Sequence, residues 1–91
     1  MTQSENKSYY KWLEDLGKVV AGIRKSKEYT NEAGVTKTMT QSRMADKTGF
    51  DIKYYQDIEY GRRPITTRTL HQLCNGLGIK VHVLLEKVDK Y

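Results

Sequence analysis

The stretch TQSRMADKTGFDIKYYQDIEYG, residues 40–61, decides the fold. Thr40 offers a side-chain oxygen to the free N–H groups of a first turn, as N-cap residues do. Met44 and Ala45 then face inward on a short helix that ends near Lys47. Gly49 follows, able to take the left-handed conformation that closes a helix. Asp51 caps a second short helix that buries Tyr55 and Ile58, and Gly61 stops it. Ala45 falls where two such helices pass closest, so a small side chain is needed there. Gly49 supplies a turn conformation that a residue with a β-carbon reaches only at a cost.

Upstream, Ser8 is a cap for a first helix spanning Tyr9 to Lys27, in which Trp12, Leu16, Val19, Val20 and Ile23 recur at helical spacing. Residues 28–38, EYTNEAGVTKT, break that spacing. Asn31 and Gly34 are turn residues, and Tyr29, Thr30, Val35, Thr36 and Thr38 favour strands. This segment reads as a small hairpin or an ordered loop. Downstream, Arg62-Arg63-Pro64 form an exit, and Thr66 or Thr67 caps a helix with Leu70, Leu73, Cys74 and Leu77 on one face, ended by Gly78. The tail is ambiguous: Val81 and Val83 alternate as in a strand, while Val81, Leu84, Leu85 and Val88 also fit a helix.

A chain of 91 residues fits one compact domain. The boundaries expected are a flexible start over residues 1–8 and a single domain over 9–91. No apolar run approaches the roughly 20 residues that span a bilayer, and the polar start MTQSENKSYYKW lacks the apolar core of a signal peptide. A cytoplasmic protein with no membrane partner is expected. One cysteine, Cys74, excludes an internal disulfide framework and a multi-cysteine zinc site. His71 and Cys74 share a helical face, but no further ligand converges on them, so Cys74 reads as core and His71 as exposed. No metal and no cofactor are expected. No nucleophile–base pair or phosphate loop is visible either, which argues against an enzyme. The net charge of +5 favours a polyanionic partner such as nucleic acid.

Two short helices joined by the tight turn Lys47-Thr48-Gly49-Phe50 have the pattern of a helix-turn-helix. With its neighbours, the chain resembles the Cro and phage-repressor type of helix-turn-helix regulators. The resemblance is carried by Leu16, Val20, Ile23 and Arg24 in the first helix and by Met39-Thr40-Gln41, Met44, Ala45 and Gly49 in the second. It continues through Tyr55, Ile58, Glu59 and Gly61, then Leu70, Leu73, Cys74, Leu77, Gly78 and Ile79. It implies an all-α, four- to five-helix, lambda-repressor-like DNA-binding domain, with room for a small β-hairpin at 28–38 and a C-terminal strand. The segment 28–38 departs from the short connection usual in the family. Lys80 and Val81 depart from the polar cap of a fifth helix. The tail VHVLLEKV looks more like the strand through which antitoxin members of the family pair.

A recognition helix of this kind lies in the major groove with its N-terminal residues on base edges. Its outward positions here are Ile52, Lys53, Gln56 and Asp57. Lys53 can donate to guanine O6 and N7, Gln56 can bond an adenine edge, and Ile52 can cover a thymine methyl. Asp57 either accepts from cytosine N4 or holds Lys53, one turn back on the same face. The resemblance implies that Thr40 and Gln41 touch phosphate at the start of the second helix, where N–H groups and the helix dipole attract anions. Arg62 and Arg63 should reach phosphates beside the groove, with hydroxyl contacts from Tyr54 and Tyr60. The resemblance also implies a structural salt bridge between Arg24 and Glu59.

The function expected is a sequence-specific, double-stranded DNA-binding transcriptional regulator, acting as a repressor and a homodimer on a palindromic operator. Its dimer surface is expected from Ile79 to Val88, helped by Trp12 and Tyr9. The alternative is an antitoxin that holds a toxin protein and represses its own operon. For the segment 28–38, a wing on DNA, a dimer contact and a solvated loop all remain open.

Overall fold

Residues 8–91 are described by the computed structural model, so segment 1–7 of the expected flexible start lies outside them. Ser8 holds extended backbone, and its hydroxyl accepts from the Lys11 N–H at 3.1 Å, which opens helix α1, Tyr9–Lys25. The helix stops two residues short of the Lys27 expected from the sequence.

The segment 28–38 is a hairpin. Strands β1 (Glu28–Thr30) and β2 (Thr36–Thr38) pair antiparallel, with Tyr29 opposite Lys37. The Asn31 side chain makes the turn, its carboxamide oxygen accepting from Ala33 and Val35 N–H groups at 3.0 Å each. The Met39 N–H donates to the Lys27 carbonyl at 2.9 Å and closes the base.

Helices α2 (Gln41–Thr48), α3 (Ile52–Glu59) and α4 (Thr67–Leu77) each start on a side-chain cap. Thr40 accepts from Arg43 N–H, Asp51 from Tyr54 N–H and Thr66 from Thr69 N–H, at 2.9–3.1 Å. Thr66 rather than Thr67 is therefore the cap of α4. Gly49 ends α2 at φ 83°, the left-handed conformation the turn required.

Helix α5, Val81–Asp89, corrects the expectation of a C-terminal strand. Its start has no side-chain cap, since Lys80 makes no capping bond. Packing supplies what the cap does not. Leu84 and Val88, one turn apart, are fully buried, and α5 lies against α1 and α4. Burying each of these side chains contributes about 1.5–3 kcal/mol, more than the ~1 kcal/mol of a typical cap. A strand would place Leu84 and Val88 on one face too, but would leave α1 and α4 without the helical ridge that covers them. The feature that motivated the antitoxin alternative is thus absent from the described residues. Two of the residues assigned to a dimer surface, Leu84 and Val88, are instead part of the monomer core.

That core gathers Leu16, Val20, Met44, Tyr55, Ile58, Leu73, Leu77 and Leu84 from all five helices. Cys74 is a buried free thiol, pushed up in pKa by burial, and His71 is exposed. Among the described residues no helix is long and apolar enough to cross a membrane.

Candidate nucleic-acid interface

Helix α3 packs against α2 after the Gly49 turn, and Gln41 at the start of α2 meets the C-terminal half of α3 at Gln56, Glu59 and Tyr60. On α3, Ile52 is 41% exposed, Lys53 is exposed and Gln56 is half-buried. Thr40 is exposed at the start of α2, where the first N–H groups of a helix have no partner inside it. Arg62 and Arg63 are exposed just beyond α3. Six of the expected contact residues thus share the surface formed by the starts of α2 and α3 and the exit after α3.

Polar bonds fix this surface from behind. Arg24, on α1, donates through Nε to Glu59 Oε2 at 2.6 Å and through Nη2 to Glu59 Oε1 at 3.0 Å. Its remaining Nη1 donates to the Met39 carbonyl at 3.0 Å, tying the hairpin base to the same group. Gln41 Nε2 donates to Glu59 Oε1 at 2.9 Å, and Gln41 Oε1 accepts from Gln56 Nε2 at 3.2 Å. A carboxylate only accepts, so Glu59 dictates which end of the Gln41 amide faces it. The other end must then face Gln56. A chain of donors and acceptors therefore runs from α1 through α3 and α2 to a residue on the exposed face.

The electrostatics follow from the same contacts. Burial opposes ionisation of Glu59, but the hydrogen bonds from Arg24 and Gln41 outweigh it and hold the carboxyl below the usual range. Hydrogen bonding to Glu59 holds Arg24 above its ordinary value. The Tyr55 hydroxyl is buried behind this pair without a hydrogen bond of standard geometry, and burial first, then Glu59, keeps its proton on far above the usual phenol range.

Three residues sit differently from what the sequence suggested. Tyr54, read as an exposed neighbour, is half-buried. Its ring meets Phe50 with centroids 5.0 Å apart, and its hydroxyl bonds Thr69 Oγ1 at 3.1 Å. Asp57 is buried, with both oxygens engaged: Oδ1 accepts from Lys53 Nζ at 2.9 Å and Oδ2 from Arg63 Nη2 at 3.0 Å. Of its two readings, the geometry is that of a residue holding Lys53. Gln41 is half-buried and bonded to Glu59 and Gln56 rather than fully turned to solvent. Tyr60 remains half exposed, with its hydroxyl 3.3 Å from Gln41 Nε2 and Arg62 over its ring.

Sequence reasoning gave no role to Arg43. Its guanidinium lies 3.8 Å from the Tyr29 ring centroid, a cation–π contact that fastens the hairpin to α2. An aromatic residue inside an otherwise polar strand was the available signal. It also missed Thr69, because the partner that Tyr54 finds comes from another helix.

A helix-turn-helix family model matches residues 35–84. The chain belongs to this helix-turn-helix family. The match spans α2 to the middle of α5, including the whole surface described above. The helix-turn-helix protein is also similar in structure to the wild-type restriction-modification controller protein C.Esp1396I. The two are 27% identical with a TM-score of 0.69, covering 92% of each chain. The clp gene regulator ClgR from Corynebacterium glutamicum shares the fold, at 23% identity and a TM-score of 0.67, over 85% of this chain and 86% of that one. No curated protein sequence matches. Family and structural neighbours together make this helix-turn-helix protein a DNA-binding transcriptional regulator of the Cro type.

Proposed function

We propose that the chain binds duplex DNA sequence-specifically, as a homodimer on a palindromic operator, and represses by occupying it. The observation that carries this reading is the row Ile52, Lys53 and Gln56 on the exposed face of α3, with the start of α2 alongside. In the major groove these residues meet base edges, while Thr40, Arg62 and Arg63 meet phosphates that set the register. Gln56 keeps its carboxamide oxygen and one N–H for an adenine, because Gln41 takes only the other N–H. Asp57 supports rather than reads, since its oxygens are occupied by Lys53 and Arg63.

An α3 of this length reads few base pairs, which favours two copies on half-sites about one helical turn apart, roughly 34–36 Å. On α5, Val81, Val83 and Leu85 are half-buried apolar side chains left at the surface beside the inward Leu84 and Val88. They are the face we assign to the second copy.

Selection from random duplexes, followed by sequencing of the retained pool, tests the reading. A symmetric consensus is expected; equal retention of all sequences at low salt would overturn it. With that consensus in hand, Gln56→Ala should cost about 1–3 kcal/mol and relax preference at one position per half-site. Arg62→Ala should weaken all sequences alike and flatten the salt slope by about one. Titration by fluorescence anisotropy at several salt concentrations separates these two outcomes.

A further inference from the structure

Lys53, Asp57 and Arg63 form one cluster at the edge of the interface, and its layering is informative. The Asp57 side chain is 9% exposed, whereas those of Lys53 and Arg63 are 68% and 45% exposed. The carboxylate lies underneath with the two cations over it, one on each oxygen. Arg63 is held from a second side, its guanidinium 4.7 Å from the Tyr54 ring centroid. Tyr54 is itself fixed by Phe50 and Thr69. The two hydrogen bonds, Lys53 first and then Arg63, keep the Asp57 carboxyl below its usual range, so it stays ionised near neutrality.

We propose that Asp57 is a specificity-determining positioning residue, which pairs Lys53 and Arg63 and biases Lys53 toward neutral base acceptors over phosphate. This rests on the reading that α3 enters the major groove. A lysine ammonium has three donors. One is spent on Asp57 Oδ1, and the others remain for guanine O6 and N7, which carry no formal charge. Base contact therefore leaves the Lys53–Asp57 bond intact. A phosphate drawn to the Lys53 ammonium instead comes beside a fixed, poorly solvated carboxylate, whereas Arg63 keeps the guanidinium N–H groups that Asp57 does not use for a phosphate of its own on either duplex, so the difference between the two falls on Lys53. Asp57 thus weakens non-specific binding, which is electrostatic and comes from cations on phosphate. It also spares Lys53 part of the rotamer freedom that it would lose on meeting a base.

The test compares the wild-type chain with Asp57→Asn and Asp57→Glu, each on the selected operator and on a scrambled duplex at three or more salt concentrations. Asp57→Asn keeps the shape and loses the charge. Its affinity for scrambled DNA should rise about 3–10-fold, in keeping with one fewer repelling charge. Its salt slope there should steepen by about one, and its operator-to-scrambled ratio should fall at least about fivefold. Asp57→Glu keeps the charge and should hold scrambled affinity within about twofold of wild type, while losing preference at the base pair read by Lys53. A merely structural carboxylate would shift melting temperature in both variants without moving the ratio or the slope. Equal weakening on both duplexes in Asp57→Asn, an unchanged ratio, or a rise in scrambled affinity in Asp57→Glu as well would overturn the proposal. Failure of the wild-type chain itself to prefer its operator would instead sink the underlying reading of α3.

Discussion

Arg24→Met should destabilise the fold by about 3–5 kcal/mol, because it leaves Glu59 ionised, buried and unpaired. For a domain of this size that corresponds to a melting temperature lower by roughly 12–40 °C. Methionine keeps most of the apolar stem, so the loss is that of the guanidinium and its three hydrogen bonds, two to Glu59 and one to the Met39 carbonyl. The pH dependence should reverse as well. In the wild-type chain the Glu59 carboxyl is held below its unfolded value. That contribution is fully present above the unfolded glutamate range near pH ~4.3, and it is lost as pH falls through the lower folded value. Without Arg24, burial dominates and lifts the folded value above the unfolded one. The group then stabilises only below that range and destabilises as pH rises. Thermal melts from pH 3 to 8 would show wild-type stability rising with pH where the variant's falls. A parallel pH profile in the two proteins would count against the pair as the origin of the effect. Arg24→Met with Glu59→Leu should recover much of the stability, as apolar replacements of buried pairs often do. It should recover the preference at the Gln56 base only in part, because Gln41 Nε2 then keeps just the longer bond to the Tyr60 hydroxyl, which can accept or donate and so no longer dictates the orientation of the amide.

Gly17→Ala should cost about 3 kcal/mol, at the upper end for overpacking. A β-carbon at Gly17 would collide with the Glu59 carbonyl oxygen and come within 2.7 Å of the Ile58 carbonyl oxygen. Both obstacles are backbone at the end of α3, so no side chain can swing aside. The helices must separate, and Arg24 and Glu59 separate with them. Gly22 lies on the same helix, is exposed and has open space where a β-carbon would go. Gly22→Ala should therefore stabilise by about 0.5–1 kcal/mol, the ordinary gain from alanine in a helix interior. Denaturant melts of the two variants should move in opposite directions from wild type. A loss at Gly22 equal to that at Gly17 would mean that helix α1 itself, rather than its contact with α3, is the sensitive element.

The local code of the fold is legible residue by residue. Ser8, Thr40, Asp51 and Thr66 cap helices because their side chains can do so within the next turn, and Gly49 and Gly78 end them at positive φ. Those decisions are made within a few residues, so a sequence displays them. The hairpin is legible for the same reason, through Asn31. Helix α5 is not, because a short apolar run fits two periods, and the choice is made by α1 and α4, far off in the chain. Gly17 and Gly76 are silent in sequence too. Each is a glycine within a helix whose necessity comes from another element, the Ile58 and Glu59 backbone in one case and the side chain and Cα of Thr48 in the other. At the interface, the outward row of α3 follows from helical spacing. The burial of Asp57 under Lys53 and Arg63 does not, since Arg63 lies beyond the helix and returns to it only through the turn at Gly61.

The hairpin enters and leaves the domain through a single backbone hydrogen bond, Met39 N–H to the Lys27 carbonyl. Two chain ends already held that close make the segment between them a cassette. Lengthening its tip between Asn31 and Val35 gives up the turn bonds to the Asn31 side chain and beyond that adds only the slowly growing entropy of a longer loop, about 0.6 kcal/mol per doubling. The tip is therefore a natural place for a peptide tag or a fluorophore that would report on this regulator without altering α2 and α3.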